Sequence, residues 1–401
     1  MRILHTADWH IGQKLHERSR HEEHKQFLDW LLKLIKEHKI QLLLVSGDIF
    51  DTSLPSAEAT NLYYEFLYKL SNESETYTVI IAGNHDSARH LEAPREFLKM
   101  GRIHVVGLVN DPSECVFTFP PDNPRVAVAA IPYISENELQ HISFETEVEK
   151  SDRYQEFLKD LYTQCVAEMP TGIPKILMGH FFVEGGSISG SERRTQGEPL
   201  NESQPSIRVG GATAVHAADF PEDVDYVALG HLHRPQTIKG TDFPIRYSGS
   251  PIPLRFSEAH YRKKIFILNI SDSGVLQQEE EIEIPVFKEL CVVEGDELSL
   301  QQQAMSGDWE GKYIQVKLTL DTVGKTKSDE IRNAFTNRGG DVLIIEVKMP
   351  ESDGGPTIQI EDMKHPEEIF EQYHISTFDN PPDVSLKQTF SELLQMVEES
   401  K

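Results

Sequence analysis

Leu42-Leu43-Leu44-Val45-Ser46-Gly47-Asp48-Ile49-Phe50-Asp51 decides the fold: an unbroken apolar run passes at once into a turn that carries two carboxylates. A run that is apolar at every position, rather than every second one, is a strand covered on both faces, as in parallel sheets packed between other layers. The same pattern recurs along the chain. Arg2-Ile3-Leu4-His5-Thr6 leads to Asp8-Trp9-His10, and Val79-Ile80-Ile81-Ala82 leads to Gly83-Asn84-His85-Asp86. Lys175-Ile176-Leu177-Met178 leads to Gly179-His180, and Tyr226-Val227-Ala228-Leu229 leads to Gly230-His231-Leu232-His233. Sites in α/β sheets form in the loops beyond strand C-termini, so these strands can deliver their polar ends to one place. Helical periodicity at Phe27, Leu31, Leu34 and Ile35, opened by a Ser19-x-x-Glu22 capping box, and at Leu62, Phe66 and Leu70 supplies flanking helices. The expected fold is α/β: a layered β-sandwich flanked by helices.

The polar ends carry a coherent chemistry. Asp8, His10, Asp48, Asn84, His180, His231 and His233 offer carboxylate, carboxamide and imidazole donors without a cysteine. That set suits Mn²⁺, Fe²⁺ or Zn²⁺ and argues against a thiolate site. These donors outnumber what one tetrahedral ion accepts, and a shared carboxylate holds two ions roughly 3.5–4 Å apart. Asp48 is the natural bridge, while His231 and His233, at i and i+2, can reach neighbouring ions. Taken singly, Asp-x-His or Gly-Asp-x-x-Asp is ordinarily a solvated turn, Gly-Asn-His-Asp a plain Asn/Gly turn, and His180 or His231 a core histidine. Their conjunction, in order and each after a strand, reads as a metal centre.

These clusters, with the start Met1–His10 and Tyr247-Ser248-Gly249-Ser250-Pro251, resemble the calcineurin-like metallophosphoesterase superfamily and, within it, the double-strand-break repair nucleases. The resemblance is strong over residues 1–270 and continues as a similar layout beyond. It implies a two-Mn²⁺ DNA nuclease that trims double strands 3′ to 5′ and cuts single strands and hairpins. It also implies a homodimer within a heterotetramer with an SMC-like ATPase. Asp8, His10, Asp48 and His233 would hold one ion, and Asp48, Asn84, His180 and His231 the other, with a bridging water or hydroxide as nucleophile. His85 matches the family's catalytic histidine, protonating or stabilising the leaving group. Asp86 either orients His85 or caps the turn. Asp51 stands where archaeal and eukaryotic members have histidine, so no histidine role carries over to it. The Arg-Gly of Ser/Thr phosphatases does not follow Asp51-Thr52-Ser53.

Composition sets outer bounds. The chain has 401 residues and a formal net charge of −26. Residues 281–401 hold 11 Lys and Arg against 25 Asp and Glu, so acidity is densest outside the expected catalytic domain. A DNA binder usually shows a basic face. Local candidates are Lys14, Arg18 and Arg20, then Arg89, then Arg193 and Arg194; the alternative for each is ordinary solvated surface. The three cysteines form no disulfide framework and read as small core hydrophobes. With no bilayer-length apolar stretch and no basic-then-apolar leader, a cytoplasmic protein is expected.

The expected organisation is a catalytic domain over 1–280, a small α+β capping domain over 281–350, a linker over 351–360 and a helix-loop-helix tail over 361–401. Strands near Leu290–Val293, Ile314–Leu320 and Val342–Val347 flank a helix near Ser328–Asn337 in the capping domain. In the tail, Leu386, Phe390, Leu393 and Leu394 form one stripe that either packs back on this chain or docks on a partner. The family resemblance implies the base of the ATPase coiled coil as that partner. Two other functions stay open. A phosphodiesterase of cyclic nucleotides or small esters would share every ligand but not need residues 285–401, and a silent scaffold would be expected to have lost ligands.

Overall fold

The computed structural model describes residues 1–135, 150–188, 208–209, 212–320, 328–348, 366–378 and 380–399. The strands that end in the polar clusters are β1 (Arg2–Thr6), β2 (Leu42–Ser46), β3 (Tyr77–Ile81), β4 (Lys175–His180) and β5 (Tyr226–Gly230). Two six-stranded sheets divide them. In the first sheet β1, β2 and β3 run parallel and are continued by Ile103–Val106, with the antiparallel strands Lys264–Ile270 and Leu276–Glu283 on the other edge. In the second sheet β4 lies between β5 and Val126–Ala130, all parallel, with Ile245–Tyr247 parallel on the far side of β5.

Alternation within the apolar runs explains the layers. In β2, Leu42 and Leu44 join the core between the sheets, whereas Leu43 and Val45 join the core beneath the outer helices. Ile3 and Leu4 of β1, and Val79 and Ile80 of β3, split the same way. The helices α1 (His21–Glu37) and α2 (Ala57–Glu73) cover the first sheet with Phe27, Leu31 and Ile35 and with Leu62, Phe66 and Leu70. Helix α3 (Lys150–Glu168) covers the second sheet through Tyr154, Leu158, Leu161 and Cys165. Each such side chain fully withdrawn from water is worth about 1.5–3 kcal/mol.

The capping box at Ser19 does not form. Arg20 is the N-cap of α1 and lends no side-chain cap; its guanidinium is instead fully buried against Glu23 and the carbonyl of Pro253. Glu22 is therefore left in the first turn without the reciprocal bond.

A three-stranded sheet, Leu290–Gly295, Tyr313–Thr319 and Asp341–Lys348, follows with Tyr313–Thr319 in the centre. Besides the anticipated helix Ser328–Thr336 it carries Glu297–Ser306, capped by Asp296 through the amide of Ser299. The chain divides into two compact units, Met1–Lys317 with Lys327–Glu346, and Leu318–Thr326 with Val347–Lys401. Most of the capping sheet thus belongs to the unit that holds the catalytic sheets. Leu15, Phe256 and Leu290 form a small core there, with Tyr313, Leu343 and Ile344 packed against it. Arg18 pairs with Asp341 at 3.1 Å on its rim. The second unit contains helices Pro366–Phe378 and Val384–Glu399, joined by stacking of Phe370 on Phe390 at 4.1 Å and 8°. The linker expected at 351–360 lies outside the described residues. No helix among the described residues is long and apolar enough to cross a membrane.

His5 ties the two sheets together, its Nδ1 lying 3.1 Å from the Tyr226 hydroxyl. Complete burial pushes its pKa down to about 3, so the fold holds it neutral. The unfolded chain takes up a proton at this residue near pH 6.5 and the folded chain does not, so stability present above pH 6.5 is lost on acidification. At pH 5 the deficit from this residue is about 2 kcal/mol. Denaturant titrations of the metal-free protein at pH 7 and pH 5 should show wild type losing about that much more than His5→Gln. Equal losses would contradict the assignment.

Candidate metal centre

The loops after β1 and β2 continue side by side beyond the sheet. Asp8 N donates to the Gly47 carbonyl (3.0 Å), His10 N to that of Asp48 (3.0 Å) and Ile11 N to that of Ile49 (2.9 Å). Asp8, His10, Asp48 and His231 all adopt left-handed backbone, with φ of 53°, 47°, 50° and 96°. Such conformations cost about 1–3 kcal/mol each in residues with a side chain and cluster at functional sites. Two glycines leave the room that the cluster occupies. A Cβ on Gly83 would lie 2.2 Å from Asp48 Oδ1, and one on Gly230 1.9 Å from the Ser46 carbonyl and 2.8 Å from His180 Nδ1.

Within this frame the seven side chains converge. Asp8, His10, Asp48 and His233 present donor atoms that all lie within 4.8 Å of one another. Asp48 Oδ2 is 3.5 Å from His10 Nε2 and 3.2 Å from His180 Nε2, so it faces both halves of the cluster. Asn84 Oδ1 lies 3.0 Å from His180 Nε2 and 2.9 Å from His231 Nδ1. Asp48 Oδ1 accepts from the His85 amide at 2.8 Å, and Asp8 Oδ1 from the His231 amide at 2.7 Å. The His180 Nδ1 donates to the Ser46 carbonyl at 2.8 Å, which fixes the ring orientation and leaves Nε2 as the nitrogen that faces the cluster.

Three observations fit divalent ions here. Asp8 Oδ2 is buried without a hydrogen-bond partner. His10 and His233 bring their Nε2 atoms within 3.2 Å, a contact of two lone pairs unless a cation or proton lies between them. The donors are oxygen and imidazole nitrogen in two groups that share Asp48, which is the pattern of a two-ion centre. Charge in the bare cluster is redistributed accordingly. Burial raises the pKa of Asp8; burial also works against the anion at Asp48, but His180 and His10 overcome it and hold Asp48 well below the usual carboxylate range. His180, against its own burial, is lifted to about 9 by Asp48 and Asp8.

The remaining sequence candidates separate. The exposed ring of His85 lines the cleft over the cluster, its Nδ1 donating to the Asp51 carbonyl at 2.8 Å. Asp86 accepts from the amides of Gly83, Phe50 and Ile49 at 2.9, 2.9 and 3.1 Å, so of its two readings it takes the cap, joining two ligand loops through backbone. Lys14 is exposed on the wall of the same cleft, about 1100 Å³ in volume. Arg20 is corrected: buried and paired with Glu23, it is not available to DNA. Arg18 is engaged by Asp341, Arg89 is exposed on the short helix Ala88–Glu92, and Arg193 and Arg194 lie outside the described residues.

Sequence reasoning missed two contributions. Asp51 Oδ1 sits 3.4 Å from His10 Nδ1, on the side of the ring away from the cluster. Gln315, Lys317 and Glu346, from the capping sheet, line the cleft with Arg255 and His260. The Gly-Asp-x-x-Asp spacing could have suggested the first; no local pattern marks the second.

Comparison with known proteins agrees with this geometry. The model of the calcineurin-like phosphoesterase family matches residues 1–235. The D subunit of nuclease SbcCD from Bacillus subtilis is 39% identical over 272 residues, 67% of this chain and 66% of that protein. The protein of the same name from Escherichia coli K12 is 33% identical over 311 residues, 76% of this chain and 73% of its own length. A third, from Rhodobacter capsulatus, is 36% identical over 285 residues, 68% of this chain and 67% of that one. With the matched family model and these relatives in agreement, this chain belongs to the calcineurin-like phosphoesterase family, among the SbcD nucleases, and is a phosphodiester hydrolase.

Proposed function

We propose that this protein is the nuclease subunit of a cytoplasmic DNA end-processing complex with the ATPase SbcC. It would trim double strands 3′ to 5′ and open single strands and hairpins, as a homodimer within a heterotetramer. The observation that carries the reading is the cleft. The ligand cluster lines it together with Gln315, Lys317 and Glu346 of the capping sheet, and Lys14, Arg255 and His260 add basic or titratable groups to the same lining. A small phosphodiester needs no such added lining, and a silent scaffold needs no ligands.

Asp8, His10, Asp48 and His233 are assigned to one Mn²⁺ and Asp48, Asn84, His180 and His231 to the other. Two bound divalent ions supply Lewis-acid activation of water and neutralise charge on the phosphodiester. The chain's own residues do the rest. His180 is locked with Nε2 inward, Asp8 and Asp48 are steered by the amides of His231 and His85, and Asp8 and His180 are fully buried while Asn84 stays partly open to the cleft. The His85 ring is held through Nδ1 by the Asp51 carbonyl and edge-to-face against His10, which suits Nε2 to give a proton to, or hydrogen-bond, the departing 3′-oxygen.

Leu386 and Leu393 remain 41% and 56% exposed, and with Phe390 and Leu394 they make the stripe assigned to the SbcC coiled coil. Phe390 is spent in part on Phe370, so the leucines are the better probes.

Asp48→Ala should abolish Mn²⁺-dependent cleavage of DNA ends, since both ions lose their shared anion; retained cleavage would refute the two-ion reading. His85→Ala should keep both ions by calorimetry while slowing cleavage about 10²–10⁴-fold. Loss of metal in that variant would make His85 a ligand instead. Leu386→Asp with Leu393→Asp should weaken co-purification with SbcC at least about tenfold at unchanged melting temperature. Undiminished association would remove the stripe from the interface.

A further inference from the structure

The stretch Tyr247–Pro251 and the turn that follows it contain a buried ion pair that the proposed chemistry leaves unused. Glu258 is 0% exposed and Lys263 6%. Lys263 Nζ donates to Glu258 Oε2 at 2.7 Å, to Ser250 Oγ at 2.8 Å and to the carbonyl of His233 at 3.0 Å. The amide of Ser250 donates to that same carbonyl at 3.2 Å. Glu258 Oε2 also accepts from the Leu254 amide at 3.2 Å, and its Oε1 faces His233 Nδ1 at 3.8 Å.

Burying a carboxylate with an ammonium rarely adds stability over a well-packed apolar pair, so the reason for this one is sought in what it orients. Its position answers that. His233 turns Nε2 toward His10 and the ligand cluster, so Nδ1 must carry the hydrogen when Nε2 ligates. A carboxylate opposite Nδ1 favours that tautomer and makes the ring a stronger donor to a metal, as partners of ligating histidines commonly do. Lys263 does two further things. It neutralises Glu258, which could not otherwise remain ionised at full burial, and with Ser250 it saturates the His233 carbonyl and so fixes the backbone from which the ring projects.

We infer that Glu258 and Lys263 are a positioning pair for His233, setting its tautomer and ring orientation for the ion that it shares with Asp8, His10 and Asp48. The inference rests on the assignment of His233 as a ligand. It also gives Ser250 of the Tyr247–Pro251 stretch a part, since its Oγ accepts from Lys263 and its amide donates to the His233 carbonyl that Lys263 reaches directly.

The test is calorimetric titration of the purified full chain with MnCl₂, paired with thermal melting of the metal-free protein and steady-state cleavage of DNA. Glu258→Gln should still bind two ions, one of them roughly 10- to 100-fold more weakly, with kcat lowered and KM little changed. Glu258→Leu combined with Lys263→Met replaces the pair by apolar groups of similar bulk. It should melt no lower than wild type yet show the same weakened site. A pair that only holds the fold predicts the reverse, with Mn²⁺ affinity recovering as melting temperature recovers. Wild-type affinity at both sites in Glu258→Gln, or in the folded double variant, overturns the inference. Failure of wild type itself to bind two ions, or His233→Ala binding both unchanged, would instead overturn the ligand assignment beneath it.

Discussion

Asp48 is the constraint on which the rest of the site depends. A single buried carboxylate oxygen lies 3.5 Å from an imidazole of the first sheet's loops and 3.2 Å from one at the end of the second sheet. To bring those groups so close, two separate sheets must aim the C-terminal ends of their parallel strands at one point. The hydrogen bond from Ser46 Oγ to the Ala228 carbonyl (3.0 Å) and that between His5 and Tyr226 pin the sheets beside it. The interior packing of both sheets is in this sense a jig for one oxygen atom.

Much of this was legible in the chain because its determinants are local. An apolar run apolar at every position, followed by a glycine and a polar residue, names a doubly covered strand and its loop without reference to anything distant. The five strands, the helices that cover them, the three capping strands and the seven convergent side chains all follow from such stretches. What was not legible depends on partners far along the sequence. Arg20 looked like surface, but Pro253 and Tyr313 roof it over and Glu23 neutralises it. Ser19 and Glu22 have capping-box spacing, yet the hairpin that delivers the chain to α1 puts Arg20 at the cap instead. Asp86 sits beside a catalytic candidate in sequence, but its oxygens are claimed by amides of the neighbouring loop. Lys317 and Glu346 reach the cleft only because the capping sheet folds onto Leu15 and Phe256.

The acidity of the chain takes on a different meaning once the cleft is described. Its lining mixes Lys14, Arg255 and Lys317 with Glu17, Asp51 and Glu346, so no uniformly basic groove awaits a polyanion. Against a formal charge of −26, the two divalent ions of the proposed centre would be the largest local positive charges in this cleft. On the proposed function, affinity for nucleic acid and competence for hydrolysis would then draw on the same centre.

The left-handed backbone at Asp8, His10, Asp48 and His231 bears on attempts to make this protein hardier. Glycine would relieve each of these positions of strain, and every such relief would delete a side chain that the proposed function assigns to the metals. On that assignment, searches for heat-resistant variants that score survival of the fold alone would be drawn to these residues at the expense of the chemistry. A screen that requires retained metal as well as resistance to heat would steer instead toward the outer helices and the sheet edges, where rigidity and chemistry do not compete.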